Sequence, residues 1–264
     1  MGRLAYLCVV LALGAGGLSG QGWRKADQQD LSEAQIQEII AKFAAKETQF
    51  ARARENYTYR QTARIQELEP EGTPRGRHEI VSDIIFSPEG KRTEKVVRAP
   101  VSTLRNIQLT PEDEQDLRSV QPFVLTSNDI SKYYVRYLGK QNADEIPCHV
   151  FAVKPKKMEK GERYFQGMIW VDDRDLQIVK SYGRGVGLLK RGSENLFPKF
   201  ETYREQIDGK YWFPTYTRAD DVLAFQHGPQ RIRMTVKYED YKQFKADVQI
   251  KYGEPVTSPE SKKP

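Results

Sequence analysis

Apolar and polar residues alternate along most of the chain after residue 56, with the period of two that is typical of β-strands. The clearest example is residues 230–241, where every second residue from Ile232 to Tyr238 is apolar and the residues between them are polar. Turn residues separate about ten such segments. The later ones are predicted at 132–138, 148–154, 164–171, 176–182, 197–207, 211–219 and 230–241. This pattern predicts a mainly β (α+β) protein, either a single curved antiparallel sheet or an unclosed β-barrel.

The hairpin predicted at residues 163–182 has an unusual first arm, because that arm is apolar on both faces. Met168 and Trp170 fall on one face. Phe165 and Val171 fall on the other, since side chains alternate along a strand. A strand of this kind needs cover on both sides, or a hydrophobic cavity on one of them. The pattern therefore favours a sheet that holds an apolar ligand over one built for acid–base chemistry.

Two helices are predicted to cover the sheet. The first spans residues 31–54, where Ser32 is a suitable N-cap. Its apolar stripe recurs at helical spacing and contains Ile36, Ile39, Ile40, Phe43 and Phe50. The second is a short insertion over residues 110–120, in which Thr110 caps a helix that begins with proline.

The N-terminus has the pattern of a targeting segment. Arg3 is followed by an apolar run at 4–13 and by small residues at 14–22, where a signal peptidase can cleave. The apolar run is shorter than a membrane-spanning helix, although an uncleaved anchor is the alternative. The predicted organisation is a signal peptide at 1–22, one domain at 23–252 and a disordered tail at 253–264. Export places the chain in the periplasm, with an extracellular location as the less favoured alternative.

Composition and charge narrow the range of functions. Hydrophobic residues make up 38% of the chain and charged residues 30%, which is enough for a packed core. The net charge of +6 is compatible with contact to nucleic acid or to anionic lipid headgroups. Lysine and arginine are spread over the polar faces of most strands, and the chain is exported. We therefore predict no nucleic-acid binding.

Candidate metal ligands are scattered. His78, His149 and His227 lie far apart in the sequence, and Cys148 adjoins His149 on a strand whose neighbouring side chains point to opposite faces. Three aspartates share the turn at 172–175, where aspartate commonly bonds backbone amides. We predict no metal site and no cofactor. Cys148, which cannot form an internal disulfide once the signal peptide is removed, is predicted to be buried in its strand.

Catalytic motifs are also missing from the sequence. There is no Gly-x-Ser-x-Gly, His-Glu-x-x-His or Ser-x-x-Lys arrangement, so no catalytic residue is predicted and the chain is not expected to be an enzyme. The glycine-rich residues 183–193 lack the Gly-Lys-Ser/Thr ending of a phosphate-binding loop. They are predicted to form a loop between strands.

The predicted hairpin carries a family resemblance. Tyr-Phe-Gln-Gly-Met-Ile-Trp-Val-Asp at 164–172, followed by Leu-Gln-Ile-Val-Lys at 176–180, resembles a hairpin of the outer-membrane lipoprotein carrier (LolA-like and LolB-like) superfamily. Val-Phe-Ala-Val-Lys-Pro at 150–155 is similar to the strand that precedes it there. The resemblance covers about residues 30–245. It implies an unclosed barrel with helical cover and a hydrophobic cavity that shelters acyl chains.

Together these features predict an exported, non-catalytic binding protein. Its ligand would be a lipid or the acyl chain of a lipoprotein, held for transfer across the periplasm to an envelope membrane or a membrane-bound partner protein, and the protein would act as a monomer. The alternative is a protein-interaction or sensory module of a cell-envelope complex without a stored ligand. The predicted cavity lining, which could equally be plain core, is Ile39, Phe43, Phe50, Tyr134, Phe151, Met168 and Trp170.

Overall fold

The computed structural model describes residues 31–87, 90–188, 198–225 and 228–244. The predicted signal peptide and C-terminal tail lie outside this part of the chain and remain predictions, as does the domain boundary between them. The helices are α1 (Glu33–Arg54) and α2 (Pro111–Gln115), the latter continued by a π-helical turn at Asp116–Val120. The strands are β1 (Tyr57–Leu68), β2 (Pro74–Phe86), β3 (Arg92–Arg98), β4 (Tyr133–Ala143), β5 (Ile146–Pro155), β6 (Tyr164–Asp172), β7 (Ile178–Val186), β8 (Phe200–Gln206), β9 (Trp212–Phe225) and β10 (Gly228–Gln243).

All ten strands form one antiparallel sheet in the order β3-β2-β1-β10-β9-β8-β7-β6-β5-β4. This confirms the predicted fold class. Among the described residues no pairing joins β3 to β4, so the sheet is open and these two strands form its edges. No helix in the described ranges is long and apolar enough to cross a membrane.

Helix α1 covers one face of the sheet, which we call the inner face. Its start is fixed by a capping box between Ser32 and Gln35. Phe43 and Ala44 of its apolar stripe are buried against inner-face residues. The main core cluster forms between the helix and strands β1, β5 to β10, and it includes Ala63, Phe151, Val153, Phe165, Ile169, Val171, Ile178, Phe200 and Val236. The core therefore lies between α1 and the inner face of the sheet, as the helical stripe predicts.

Strand β6 is covered on both faces, as its sequence requires. On the outer face, Trp170 is 4% exposed and packs in a second cluster with Cys148, Val150 and Val179. The ammonium nitrogen of Lys180 lies 5.1 Å from the centre of the Trp170 ring. Neighbouring outer-face side chains thus provide the cover. Cys148 is fully buried, and burial raises the pKa of its thiol to about 12, which is the behaviour of a core residue.

Several boundaries differ from the sequence prediction, and two of the differences have local reasons. The strand predicted to begin at Leu176 begins at Ile178, because Leu176 has φ of 52° and belongs to the turn. The loop predicted from residue 183 onward is partly wrong, since Gly183 and Gly185 belong to β7. These glycines allow close approach: a Cβ atom at Gly185 would lie 2.1 Å from the Asp116 carboxylate.

Candidate functional site

The segment that follows β3 returns across the inner face of the sheet. We call residues 102–121 the cover segment. Its middle is held by Glu67 of β1, which is fully buried. The Glu67 carboxylate accepts hydrogen bonds from three consecutive backbone N–H groups, those of Arg105 at 3.0 Å, Asn106 at 2.6 Å and Ile107 at 2.7 Å. A buried carboxylate that accepts several N–H bonds is compensated for its lost hydration.

The far end of the cover segment is held by an ion pair. The Arg163 guanidinium donates two hydrogen bonds of 2.8 Å to the Asp116 carboxylate, and both side chains are nearly buried. Loss of hydration raises the pKa of Asp116, although Arg163 opposes this effect. The pKa of Asp113 is also raised, again mainly by burial. The segment therefore carries two carboxyl groups in a poorly hydrated environment.

Gln121, the last residue of the cover segment, contacts core residues of β8 and β10. The Thr202 hydroxyl donates to the Gln121 backbone oxygen at 2.8 Å, and the Gln121 amide nitrogen lies 3.2 Å from the sulfur of Met234. The side-chain oxygen of Gln121 is buried and has no hydrogen-bond partner among the described residues. An unsatisfied buried acceptor is costly, so this atom is suited to a hydrogen-bond donor from a ligand or a water molecule.

A small, partly open space, the inner cavity, lies between the cover segment and strands β1, β7, β8, β9 and β10. Its volume is about 70 Å³. Most of its wall is apolar, and the polar groups are gathered where the short helix begins. The wall is formed by Ile65, Ile107, Gln108, Leu109, Thr110, Asp113, Asp116, Leu117, Gln121, Gly185, Pro198, Phe200, Leu223, Phe225, Ile232 and Met234.

A larger, more open space, the edge groove, lies on the other side of the same segment, over the inner face of β1 to β3. Its volume is about 610 Å³. Its apolar floor includes Ile80 and Val96, and Val96 is 52% exposed. The residues shared with the inner cavity are Ile107, Gln108, Leu109 and Leu117. The cover segment is thus the partition between two adjoining, largely apolar spaces.

The predicted lining residues are not brought together at either space. Ile39, Phe43 and Phe151 meet in the main core cluster, where the Phe43 and Phe151 ring centres are 5.3 Å apart. Phe50 lies in a separate cluster with Phe213. Met168 and Trp170 lie on the outer face, and Tyr134 is 55% exposed at the sheet edge. None of the seven belongs to the walls of the inner cavity or the edge groove.

Several residues of this site could not be identified from sequence pattern. Glu67 has the same parity as Ala63 and Ile65 in β1, so the alternation places its side chain on the inner face, but it does not indicate which groups compensate the buried carboxylate. The cover segment has no regular periodicity before Thr110. Two signals were available: the capped helix at Thr110 and the apolar alternation that contains Ile232 and Met234. These two signals locate the inner cavity only if the order of the strands in the sheet is already known.

The two spaces differ in shape and exposure, but both offer apolar surface. In the part of the chain that the structure describes, no group of three or more His, Cys, Asp or Glu side chains could hold a metal ion. The inner cavity offers apolar surface with one buried acceptor at its end, and the edge groove offers apolar surface open to solvent. Together they fit a ligand with a hydrophobic body and a polar group.

Comparison with known proteins gives a limited result. No protein-family profile matches the chain, and no curated protein matches its sequence. Among solved structures, the chain is similar to a DUF1329 family protein from Desulfovibrio piger, at 12% identity and a TM-score of 0.39, with 81% of this chain and 94% of that chain covered.

Two further solved structures have the same level of similarity. A LolA superfamily protein from Nitrosomonas europaea is 14% identical with a TM-score of 0.35, and 79% of this chain and 93% of that chain are covered. An outer membrane lipoprotein-sorting protein domain from Vibrio parahaemolyticus is 15% identical with a TM-score of 0.35, and covers 77% of this chain and 93% of its own. The superfamily that the sequence resembles is therefore among the structural neighbours, and the likeness concerns the fold alone.

Proposed function

We propose that the protein is an exported, non-catalytic binding protein that holds a lipid or another acylated ligand on the inner face of its sheet. The single observation that carries the proposal is the pair of apolar spaces divided by the cover segment. The ligand would enter at the edge groove and place its apolar end in the inner cavity. Transfer to a membrane or a membrane-bound partner would follow from release of the same ligand.

The size of the two spaces supports an extended rather than a compact ligand. An engineered protein cavity that admits benzene has a volume of roughly 150 Å³. The inner cavity, at about 70 Å³, has about half that volume. It therefore accepts only a short apolar tip. The groove can cover more of the chain, and each buried Å² of apolar surface contributes about 25 cal/mol. Several methylenes are enough for useful affinity without covalent chemistry.

The cover segment would control access. A ligand that occupies both spaces must displace Leu109 or Leu117 from the partition, while the Glu67 and Asp116 anchors hold the segment at either side. Ile39, Phe43 and Phe151, which were predicted from the sequence, belong to the same core cluster as Ile65 and Met234 of the cavity wall. In this proposal they are the residues that a longer apolar ligand would displace next.

The first test is whether the protein retains lipid. The full chain, produced with its own export signal and purified without detergent, is extracted with organic solvent and also measured by native mass spectrometry. We expect a co-purifying lipid at a defined ratio to protein. The affinity is then measured with a fluorescent long-chain fatty acid as the probe.

A matched pair of variants on β9 locates the site. Leu223 lines the inner cavity and is 9% exposed, whereas its neighbour Val222 is 58% exposed on the outer face. We expect Leu223→Trp to fill the cavity and weaken probe binding roughly tenfold, and Val222→Trp to leave binding unchanged. Equal effects of the two variants would exclude the inner cavity. Absence of both lipid and probe binding would favour the sensory or protein-interaction alternative.

A further inference from the structure

Two neighbouring rows of outer-face residues cross β4 to β7 without an acidic side chain. Register pairing aligns each row across the strands, except that Lys154 and Gln166 lie one position beyond the last register pair of β5 and β6. The rows contain Arg136, Ala152, Met168 and Tyr182 in one, and Tyr134, Lys154, Gln166 and Arg184 in the other. We call these residues, with Lys156 just beyond β5, the outer basic patch. It lies on the face opposite the inner cavity.

The cations of the patch are exposed and uncompensated. Arg136, Lys154, Lys156 and Arg184 are all exposed, and none makes an ion pair with a described residue. Charges elsewhere on the outer face are largely paired: Glu79 with Arg64 and Arg98, Asp83 with Arg60, Glu201 with Arg218, and Asp220 with Arg231 and Arg233. The loop after β5 adds charges that cancel, from Lys157, Lys160, Glu159 and Glu162. Other outer-face cations such as Lys95 and Lys237 are unpaired too, but they lie singly on β3 and β10, whereas the patch brings four unpaired cations together on adjoining strands.

An aromatic side chain stands among these cations. Tyr134 is 55% exposed on edge strand β4. The ammonium nitrogens of Lys154 and Lys156 lie 5.4 and 5.7 Å from the centre of its ring. A tyrosine with an apolar ring and a polar tip, flanked by long basic side chains, is suited to the boundary between water and lipid. Four strands at a spacing of about 4.8 Å give the patch a width of about 14 Å, so it can face several headgroups at once.

We propose that the outer basic patch docks the protein on the surface of an anionic phospholipid bilayer. Charge complementarity selects a surface that presents many negative charges in one plane, because four unpaired cations contact it simultaneously. The interaction would be peripheral, with Tyr134 at headgroup level and no insertion of a helix. Since the patch and the inner cavity lie on opposite faces, the proposal holds whether or not the cavity binds a ligand.

The test is sedimentation of the full chain with vesicles of phosphatidylcholine alone and of phosphatidylcholine mixed with phosphatidylglycerol. We expect binding to the mixed vesicles only, weakened strongly by raising the salt from about 0.1 M to about 1 M. Each basic residue near an anionic surface contributes roughly fivefold in affinity. The triple variant Arg136→Gln/Lys154→Gln/Lys156→Gln should therefore bind roughly a hundredfold more weakly.

The control removes the same charge elsewhere. Lys95, Lys237 and Lys242 are exposed on β3 and β10 and likewise form no ion pair with a described residue. We expect the triple glutamine variant of these lysines to bind the mixed vesicles within a few-fold of the unaltered protein. If both triple variants lose the same amount of vesicle binding, the net charge of the protein explains the binding and the proposal is overturned. Failure of the unaltered protein to bind anionic vesicles would overturn it as well.

Discussion

His149 lies on the inner face of β5 and is 7% exposed, and its Nδ1 atom is 3.3 Å from the Tyr137 hydroxyl. Burial, assisted by the nearby charge of Lys140, lowers the pKa of this imidazole below its ordinary value of 6.5. Asp173 acts in the opposite direction but does not outweigh burial. The residue is therefore neutral in the folded protein under conditions where the unfolded chain begins to take up a proton.

This difference predicts a pH-dependent stability. As the pH falls below about 6.5, the unfolded state binds a proton that folded His149 does not, so the free energy of unfolding decreases until the lower folded pKa is reached. His149→Phe should remove this contribution. We expect urea denaturation to show that the stability of the unaltered protein, relative to His149→Phe, is smaller near pH 5.5 than near pH 7.5.

His78 supplies the comparison for that measurement, because it is only partly buried, at the wall of the edge groove. His78→Phe tests whether replacement of any histidine changes how the free energy of unfolding depends on pH. If His149→Phe and the unaltered protein lose stability in parallel between these pH values, burial of the imidazole has no energetic consequence and the interpretation is wrong.

At the scale of elements, the periodicity of apolar residues is sufficient to predict the strands and helix α1 from the sequence. The alternation in β10 and the two-faced apolar pattern of β6 are local properties, and the structure places Met168 and Phe165 on opposite faces as predicted. Helix α1 carries its own cap at Ser32. Hairpin order accounts for the neighbours within β1 to β3 and within β4 to β10, whereas the pairing of β1 with β10 joins distant parts of the chain. Apart from that pairing, these features depend on neighbours in sequence, which is why the chain alone indicates them.

The candidate site depends on long-range contacts, and for that reason the sequence could not locate it. Glu67 bonds residues that are 38 to 40 positions away in the chain. Asp116 and Arg163 are 47 positions apart. No periodicity links such residues. Met168 and Trp170, two of the seven residues predicted to line a cavity, pack in the outer-face cluster, where Trp170 is buried and Met168 is partly buried.

The anchoring of the cover segment by Glu67 gives a prediction for this element. Glu67→Leu would leave the backbone N–H groups of Arg105, Asn106 and Ile107 without their acceptor. Each unsatisfied group costs about 1–3 kcal/mol if it stays buried, so we expect the segment to detach locally and expose these amides. Hydrogen exchange should show loss of protection at 105–107, while the amides of β9 and β10 remain protected.

Glu69, two residues further along, is the matched control. It forms only a partly exposed ion pair with Arg75 at 3.6 Å. Glu69→Leu should leave exchange at 105–107 unchanged. Unaltered protection of these amides in Glu67→Leu would show that the cover segment is held by its other contacts. Weakened fatty-acid binding in the same variant would in turn connect the segment to the proposed ligand site.

The whole molecule has two faces with separate properties. The inner face holds α1, the core and the two apolar spaces, whereas the outer face carries paired charges and the basic patch. The proposed ligand and the proposed membrane contact lie on opposite faces of the sheet, so they would not compete for the same surface. On the inner face, a buried ion pair between Glu47 of α1 and Arg204 of β8 joins the helix to the sheet.

Glu47 is fully buried, and its carboxylate accepts hydrogen bonds from Arg204 at 3.1 and 3.2 Å and from the Ile178 backbone at 3.1 Å. Arg204 also donates to the Phe123 carbonyl, so the pair joins α1, β7, β8 and the segment after the π-helical turn. Glu47→Leu leaves the guanidinium buried without its partner, and we expect it to lower the free energy of unfolding by about 3–5 kcal/mol in urea denaturation. The double variant Glu47→Leu/Arg204→Met removes both charges and should recover most of that loss.

The exposed pair between Glu38 and Lys42 lies on the same helix and tests whether burial is the cause. Glu38→Gln should leave the free energy of unfolding nearly unchanged, since exposed pairs contribute little. The decisive quantity is the difference between the single and double variants at the buried pair. If Glu47→Leu and the double variant are equally unstable, the loss comes from packing at Glu47. If Glu47→Leu is no worse than Glu38→Gln, the pair does not join the helix to the sheet, and α1 must be held by its apolar stripe alone.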